Sequence, residues 1–251
     1  MRFRLKAFGL HLLASASVLT LALGALHLGW YHWPGWYLAN VPPVVAVMVG
    51  VDVVLGPTLT LIIANPGKER RELKRDVAII VAVQLAAFTY GGITLWNARP
   101  LYYAFSENCL SLVQASDIDR EDADKARRAD LALAPRWSST PRWIWAPLPD
   151  NSAEANKIVS AAIAGGADVI DLPHYYRPWG EGARELKGQL KRVDDIKFFS
   201  LAEKKTLKDR MRAAGLDPDR PVGLPFTGRA RPLLAVFDPT NLKLLALIRP
   251  T

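Results

Sequence analysis

The sequence predicts a membrane α-helical protein with three transmembrane helices, followed by a C-terminal α+β domain that contains a small antiparallel sheet. Half of the 251 residues are hydrophobic, and the long apolar runs all lie before about residue 98. The later part has the composition of an ordinary globular chain, with short apolar segments between polar turns. We therefore divide the chain into a three-span transmembrane domain, residues 1–97, and an α+β domain, residues 98–251.

Three segments are long enough to cross a bilayer, because a transmembrane helix needs about 20 apolar residues. They run from about residue 7 to 30, from 41 to 64 and from 77 to 96. The first segment follows the basic start "MRFRLK" and so resembles a secretory signal peptide. Its apolar run is longer than the ~7–15 residues of a signal sequence, and no small-x-small cleavage motif leads into a polar chain. We interpret it as a retained helix.

The basic residues around the spans predict the orientation. The N-terminus carries Arg2, Arg4 and Lys6, and the second loop, "NPGKERRELKRD", carries five more basic residues. The first loop, "YHWPGWYLAN", has no Lys or Arg. Because positive flanks stay in the cytoplasm, we expect the N-terminus inside and residues from about 98 onward outside. In a Gram-negative cell this predicts a multi-pass inner-membrane protein with a periplasmic C-terminal domain. Interfacial aromatic residues would then be Trp30, Tyr31, Trp33, Trp36 and Tyr37.

The C-terminal domain carries signals for both strands and helices. "LYYAF" and "CLSLVQ" predict one hairpin, and "RPLLAVFD" and "LKLLALI" predict a second. "SAEANKIVSAAIAGG", with a serine N-cap, predicts a helix, as do "GARELKGQLKRV" and "SLAEKKTLKDRMRAAG". "DREDADKARRADLA" predicts a solvated helix. We expect three or four helices over the antiparallel sheet.

The composition disfavours several classes of partner and cofactor. A net charge of +8 suggests nucleic-acid binding, but the positive residues form short clusters beside apolar runs, and no nucleic-acid-binding module is present. Cys109 is the only cysteine, which excludes an intrachain disulfide and a CxxC redox pair. His11, His27 and His32 do not place two imidazoles at one depth for haem, and no spacing supplies a metal site. The sequence thus predicts a lipid-embedded protein with no cofactor, no nucleic acid and no small-molecule substrate.

Cys109 and His174 are the candidates for catalysis, with Asp168 or Asp171 orienting the imidazole ring. No GxSxG motif or glycine-rich phosphate loop accompanies them. We therefore predict that the protein is not an enzyme. The alternative is a membrane-anchored periplasmic hydrolase or another enzyme of unknown substrate. A membrane sensor is disfavoured, because the cytoplasmic segments are too short for an output domain.

The stretch "GVDVVLGPTLTLII", residues 50–63, places a carboxylate inside the second span. An Asp near mid-bilayer costs about 2.5–3.5 kcal/mol, so Asp52 should face protein or water and have a partner. Gly56 lies one turn further on the same face and permits close helix approach. Pro57 deprives the Val53 carbonyl of its usual donor. Thr58 and Thr60 could supply local hydroxyl bonds.

Three roles for Asp52 follow from this pattern. A protonated Asp52 could be tied to the third span, where Gln84 and Tyr90 are the polar candidates. It could instead contact another protein's membrane helix. A proton pathway is disfavoured, because a relay normally needs several acids and the spans contain one. The first two roles stay open, and the candidate partner-binding residues are Asp52, Gly56, Pro57, Gln84 and Tyr90.

The stretch at residues 50–63, the basic loop, and "DVAIIVAVQLAAFTYGGITLWNARPLYYAFSENCLSLVQASDI" together resemble the TfpX/TfpZ family of type IV pilin accessory proteins. The resemblance is clearest from Gly50 to Ile118 and extends more loosely to the closing hairpin. It implies a non-enzymatic inner-membrane protein that binds or stabilises the major type IV pilin and modulates pilus assembly. The implied contacts are the pilin's membrane helix and its head domain. Family members usually carry an apolar or charged residue at the position of Cys109, which implies that this thiol has no function.

Overall fold

The structure, a computed structural model, describes residues 2–64, 67 and 69–250. Lys68, one of the basic residues that predict the orientation, lies outside the described residues. The chain forms two compact units. The first comprises the chain up to His32 together with Val41–Ala98, and the second comprises Trp33–Asn40 together with the chain from Arg99 onward.

The first unit contains the three predicted membrane helices, and each is long and apolar enough to cross a bilayer. The first and third are the continuous helices α1, Arg2–Gly29, and α5, Arg70–Asn97. The second span is interrupted: it comprises α3, Pro42–Val49, a π-helix at Gly50–Leu55, and α4, Gly56–Ile63.

Large apolar side chains cover the outside of the first unit. Leu10, Leu21 and Leu28 of α1 and Ile62 of α4 are mostly exposed. A water-soluble protein rarely exposes so large a contiguous apolar surface, whereas hydrocarbon solvates it without cost. This surface is therefore that of a membrane protein.

The second unit is built on a seven-stranded mixed sheet with the order β4-β3-β1-β2-β5-β6-β7. Both predicted hairpins are confirmed, since β1 pairs with β2 and β6 pairs with β7 in antiparallel fashion. The expected small antiparallel sheet is wrong, because β1–β3 and β2–β5 are parallel pairs. The strands are β1, Pro100–Ser106; β2, Cys109–Gln114; β3, Arg142–Trp145; β4, Arg177–Pro178; β5, Gly223–Thr227; β6, Leu233–Phe237; and β7, Leu244–Ile248.

The parallel pairs join segments that are far apart in the sequence, and parallel strands need long crossover connections. The strand β3 has only four residues, and β5 contains Pro225, which argues against a central strand. The pairing of β5 with β2 involves only Phe226 and Thr227, so Pro225 has no donor role there. Local patterns therefore revealed the hairpins but not these two strands.

The four helical segments predicted for this unit are confirmed. One detail differs: Asn151, not Ser152, caps α7, because its side chain accepts hydrogen bonds from the N–H groups of residues 153 and 154. Another is that α6 is not simply solvated, since Ala123 and Ala126 are buried and Ala123 packs in a cluster with strand residues Tyr102 and Ile144. The helices are α6, Arg120–Arg128; α7, Ser152–Ile163; α8, Ala183–Gln189; and α9, Leu201–Ala213.

The two faces of the sheet pack against different groups, because successive side chains of a strand point to opposite faces. One face packs against helices and the other carries an aromatic cluster. Tyr102 and Ile144 join the cluster beneath α6, and Val236 joins a second cluster beneath α9. Their neighbours form an aromatic cluster on the other face. Its members are Tyr103, Phe105, Trp143, Trp179, Phe226 and Phe237.

The loop between the first two spans belongs to the second unit and contains the short helix α2, Gly35–Leu38. Leu38 is fully buried, and its carbonyl accepts hydrogen bonds from the N–H groups of Arg229 and Ala230. The Arg249 guanidinium lies about 5 Å from the ring centres of Trp33 and Tyr37, two of the residues predicted to be interfacial. The loop and the C-terminal domain therefore lie on the same side of any membrane that the helices cross.

Candidate functional site

The π-helix places Asp52 and leaves its carbonyl without a main-chain donor. The N–H of Gly56 donates to Val51, five residues earlier, and so is diverted from the carbonyl of Asp52. The next donor in π-helical register would be the nitrogen of Pro57, which has no hydrogen. Gln84 of α5 supplies the missing bond, with its Nε2 2.9 Å from the Asp52 carbonyl oxygen. In regular α-helical register, as predicted from the sequence, the carbonyl left without a donor would instead be that of Val53.

Gly56 makes room for this bond. A Cβ atom on Gly56 would lie only 2.1 Å from the Nε2 of Gln84, which no packed structure tolerates. The close approach that Gly56 was predicted to permit is thus taken by α5 of the same chain. Pro57 is also buried in the first unit. Local interruptions of this type occur frequently at functional sites.

His11, for which the sequence suggested no role except an unfavourable one as a haem ligand, joins the three spans. Its Nε2 lies 2.8 Å from the Oε1 of Gln84, and its Nδ1 lies 2.6 Å from the hydroxyl of Thr60. The amide of Gln84 is oriented by the Asp52 carbonyl, so its oxygen faces His11 and the Nε2 of His11 must be the donor. The Thr60 hydroxyl also lies 3.1 Å from the Gly56 carbonyl oxygen, within reach for its predicted local bond, and its single proton serves either this oxygen or the Nδ1 of His11. Thr58 is exposed. No periodicity within α1 could have revealed His11.

The carboxyl group of Asp52 remains the unusual feature. Its side chain is 5% exposed, and its Oδ2 is buried with no hydrogen-bond partner in the part of the chain that the structure describes. Gln84 bonds the main chain of Asp52, and Tyr90 is 75% exposed on α5. The structure therefore brings together Asp52, Gly56, Pro57 and Gln84, but not Tyr90.

A cavity of about 290 Å³ lies beside Asp52. We call it the Asp52 groove, and its lining residues are His11, Ala14, Ser15, Val18, Asp52, Val81, Gln84, Leu85 and Phe88. Its walls come from α1 and α5 and are mainly apolar, whereas its polar groups belong to the network around Gln84. Within residues 2–64, 67 and 69–250, no cluster of three potential metal ligands occurs. The groove thus combines apolar walls with polar groups of His11, Ser15, Asp52 and Gln84.

In the second unit, Cys109 and His174, the two candidates for catalysis, have different hydrogen-bond partners. Cys109 Sγ lies 3.5 Å from the hydroxyl of Thr227 and 3.7 Å from that of Ser111. Burial raises the pKa of the Cys109 thiol, which makes it a poorer nucleophile at neutral pH.

The partner of His174 is Asp122, whose Oδ1 lies 2.5 Å from its Nδ1. Asp168 and Asp171, the candidates for orienting the imidazole ring, instead cap their own short turn. Burial raises the pKa of Asp171 to about 6. His174 borders a cavity of about 520 Å³ whose other polar side chains include Glu154, Tyr175 and Arg177.

Comparisons with known proteins identify relatives. No family model and no solved structure matches the chain. A 124-residue region, 49% of the chain, is 32% identical to the fimbrial assembly protein of serogroups C1 and C2 from Dichelobacter nodosus and covers 95% of that protein. The serogroup I and E1 proteins of this organism are 32% and 31% identical, and the chain spans about half their length. The chain therefore belongs to the family of these fimbrial assembly proteins.

Proposed function

We propose that the chain is an inner-membrane accessory protein of type IV pili, similar to TfpX/TfpZ, that binds the membrane helix of the major pilin and modulates its assembly. We further propose that it does so without catalysing a reaction. Its relatives are named for fimbrial assembly. The observation that carries the proposal is the buried, unpaired Oδ2 of Asp52 beside the Asp52 groove.

The groove suits a membrane helix for a physical reason. Lipid tails are as apolar as a helix surface, so two membrane helices associate through close packing and interhelical hydrogen bonds. The exposed side chains of Val18 and Leu85 offer a packing surface at the groove. Asp52 offers an acceptor, and an interhelical hydrogen bond contributes about 1–2 kcal/mol in hydrocarbon. A pilin that awaits assembly is a single apolar helix with a head domain outside, which matches this surface.

The proposed orientation has the N-terminus in the cytoplasm and the C-terminal domain in the periplasm. It is supported by Arg2, Arg4 and Lys6 and by the basic second loop. A reporter that is active only in the periplasm should work when fused after Thr251 and fail when fused after Lys74. The opposite pattern of activity would show that the topology is inverted and that the C-terminal domain lies in the cytoplasm.

The direct test is copurification of pilin with the full-length protein in mild detergent. We expect pilin to be captured by the wild type and equally by Cys109→Ser and His174→Ala, at matched amounts of folded protein. The His174 variant is expected to lose stability by about 1–3 kcal/mol, because Asp122 loses one of its two hydrogen bonds to that residue.

Either of two results would count against the proposal. Failure of the wild type to capture pilin would refute the binding role. Loss of pilus assembly in His174→Ala at normal abundance would instead favour the hydrolase alternative, for which the histidine–aspartate pair beside the 520 Å³ cavity is the best structural basis.

A further inference from the structure

The second unit has an open sheet edge. Among the described residues, β7 pairs with β6 alone, and it is one end of the strand order. One face of β7 is covered, since Ile248 and Ala246 pack in the cluster beneath α9. The outer side of an edge strand presents main-chain N–H and C=O groups that can pair with a further strand.

An aromatic cavity of about 260 Å³ lies at this edge. Its lining residues are Trp143, Trp179, Phe237, Leu242, Lys243 and Leu244. Leu244 begins β7, and Trp179 directly follows β4, the strand at the opposite end of the order. The ring centres of Trp179 and Phe237 are 6.3 Å apart, so the sheet curls until both of its ends border this cavity.

The register of β7 limits how much of the edge can pair. Val236 faces Ala246 while Phe237 faces Leu244, which leaves Leu245 as the extra residue of a β-bulge. A bulge shortens the regular edge to residues 246–248. Leu245 itself is 49% exposed. Edge strands that avoid pairing with other chains often carry a charged residue at such a position, and this strand carries a leucine. A short added strand would pair at 246–248 and then pass the mouth of the cavity.

The charged residues that flank β7 indicate which kind of strand could pair with it. Lys243 precedes the strand and Arg249 follows it, and both are exposed. If β7 of a second copy paired antiparallel around Ala246, Lys243 would face Arg249 of that copy. Directly opposed like charges are destabilising, which disfavours self-pairing. A strand with acidic residues at both flanks would instead complement both cations.

We propose that β7 accepts, as an added strand, an extended segment of another protein that carries an apolar side chain between acidic residues. The apolar side chain would enter the cavity between Trp143, Trp179 and Phe237, and the acidic residues would lie near Lys243 and Arg249. In such recognition the main-chain hydrogen bonds provide affinity and the pocket provides specificity. This site is independent of the Asp52 groove and does not rest on the proposed function.

The test uses full-length protein in detergent micelles and two labelled heptapeptides, one with a central Trp between Asp residues and the other with Lys in place of Asp. We expect the acidic peptide to bind at least about fivefold more tightly to the wild type, as two exposed ion pairs would give. Lys243→Glu with Arg249→Glu should reverse this preference. Lys187→Glu with Lys205→Glu, the same charge change on exposed helix positions, should leave the preference unchanged.

A single variant separates an effect on charge from an effect on stability. If the double reversal lowers the melting temperature, Lys243→Glu alone should still reduce the preference, because it leaves Arg249 on Trp33 and Tyr37. Equal binding of the two peptides, or a preference unaffected by Lys243→Glu, would overturn the proposal. A photoreactive residue at Leu245 that joins two copies of the chain, and not the acidic peptide, would overturn it as well.

Discussion

Asp52→Leu is expected to accumulate in the membrane at least as well as the wild type and to lose most of its capture of pilin. The substitution removes a carboxyl whose placement in the span costs about 2.5–3.5 kcal/mol. It also removes the acceptor from the Asp52 groove, and the loss of about 1–2 kcal/mol corresponds to roughly tenfold weaker binding. Gln84 can still bond the main-chain carbonyl of residue 52, so the helix packing should persist.

Asp52→Asn is the matched control, because it keeps the shape and one acceptor oxygen, and we expect intermediate capture. Both variants are measured by membrane abundance and by pilin copurification. An internal tie of the Asp52 carboxyl predicts the opposite for Asp52→Leu, namely lower abundance together with lower function. A stable Asp52→Leu protein that captures pilin normally would refute the intermolecular role of this carboxyl.

Gly56→Ala is expected to disrupt the first unit itself. The new Cβ would displace the Gln84 amide, which now lies where that atom would be. The Asp52 carbonyl and the Nε2 of His11 would then lose their partner. An unsatisfied buried polar group costs about 1–3 kcal/mol and overpacking costs about 1–3 kcal/mol more. Abundance and thermal stability in detergent should both fall.

Gly50→Ala is the control for this variant, since Gly50 lies in the same span and a Cβ there meets nothing within 4 Å. We expect it to resemble the wild type in both measurements. If Gly56→Ala were as stable as Gly50→Ala, the bond between Gln84 and the Asp52 carbonyl would not support the packing of the three spans. The contrast with Asp52→Leu separates a residue that holds the fold from one that serves binding.

Local patterns predicted much of this fold. The three spans follow from apolar length, and both hairpins follow from short turns between apolar runs. The strands β3 and β5, which pair in parallel with β1 and β2, were not predicted, because pairing across long crossovers leaves no local periodicity. The contact of Leu38 with residues 228–230 was not predicted for the same reason.

The candidate site was predicted in part. A carboxylate in an apolar span identified Asp52, and the glycine one turn later identified Gly56. The donor to the Asp52 carbonyl is Gln84 of another helix, and regular α-helical register would have exposed a different carbonyl, so the sequence of the second span alone could not indicate which carbonyl would need a partner. His11 was missed because its role depends on the depth of three helices at once.

The most direct test of pilin binding is crosslinking in living cells from the Asp52 groove. A photoreactive amino acid is placed at Leu85, which lines the groove and is 59% exposed, or at Ile62, which is 65% exposed and does not line it. We predict an adduct with pilin from position 85, little or none from position 62, and loss of the adduct when Asp52→Leu is added. Equal adducts from both positions, or none from position 85 in cells that accumulate pilin, would contradict the binding of pilin in the Asp52 groove.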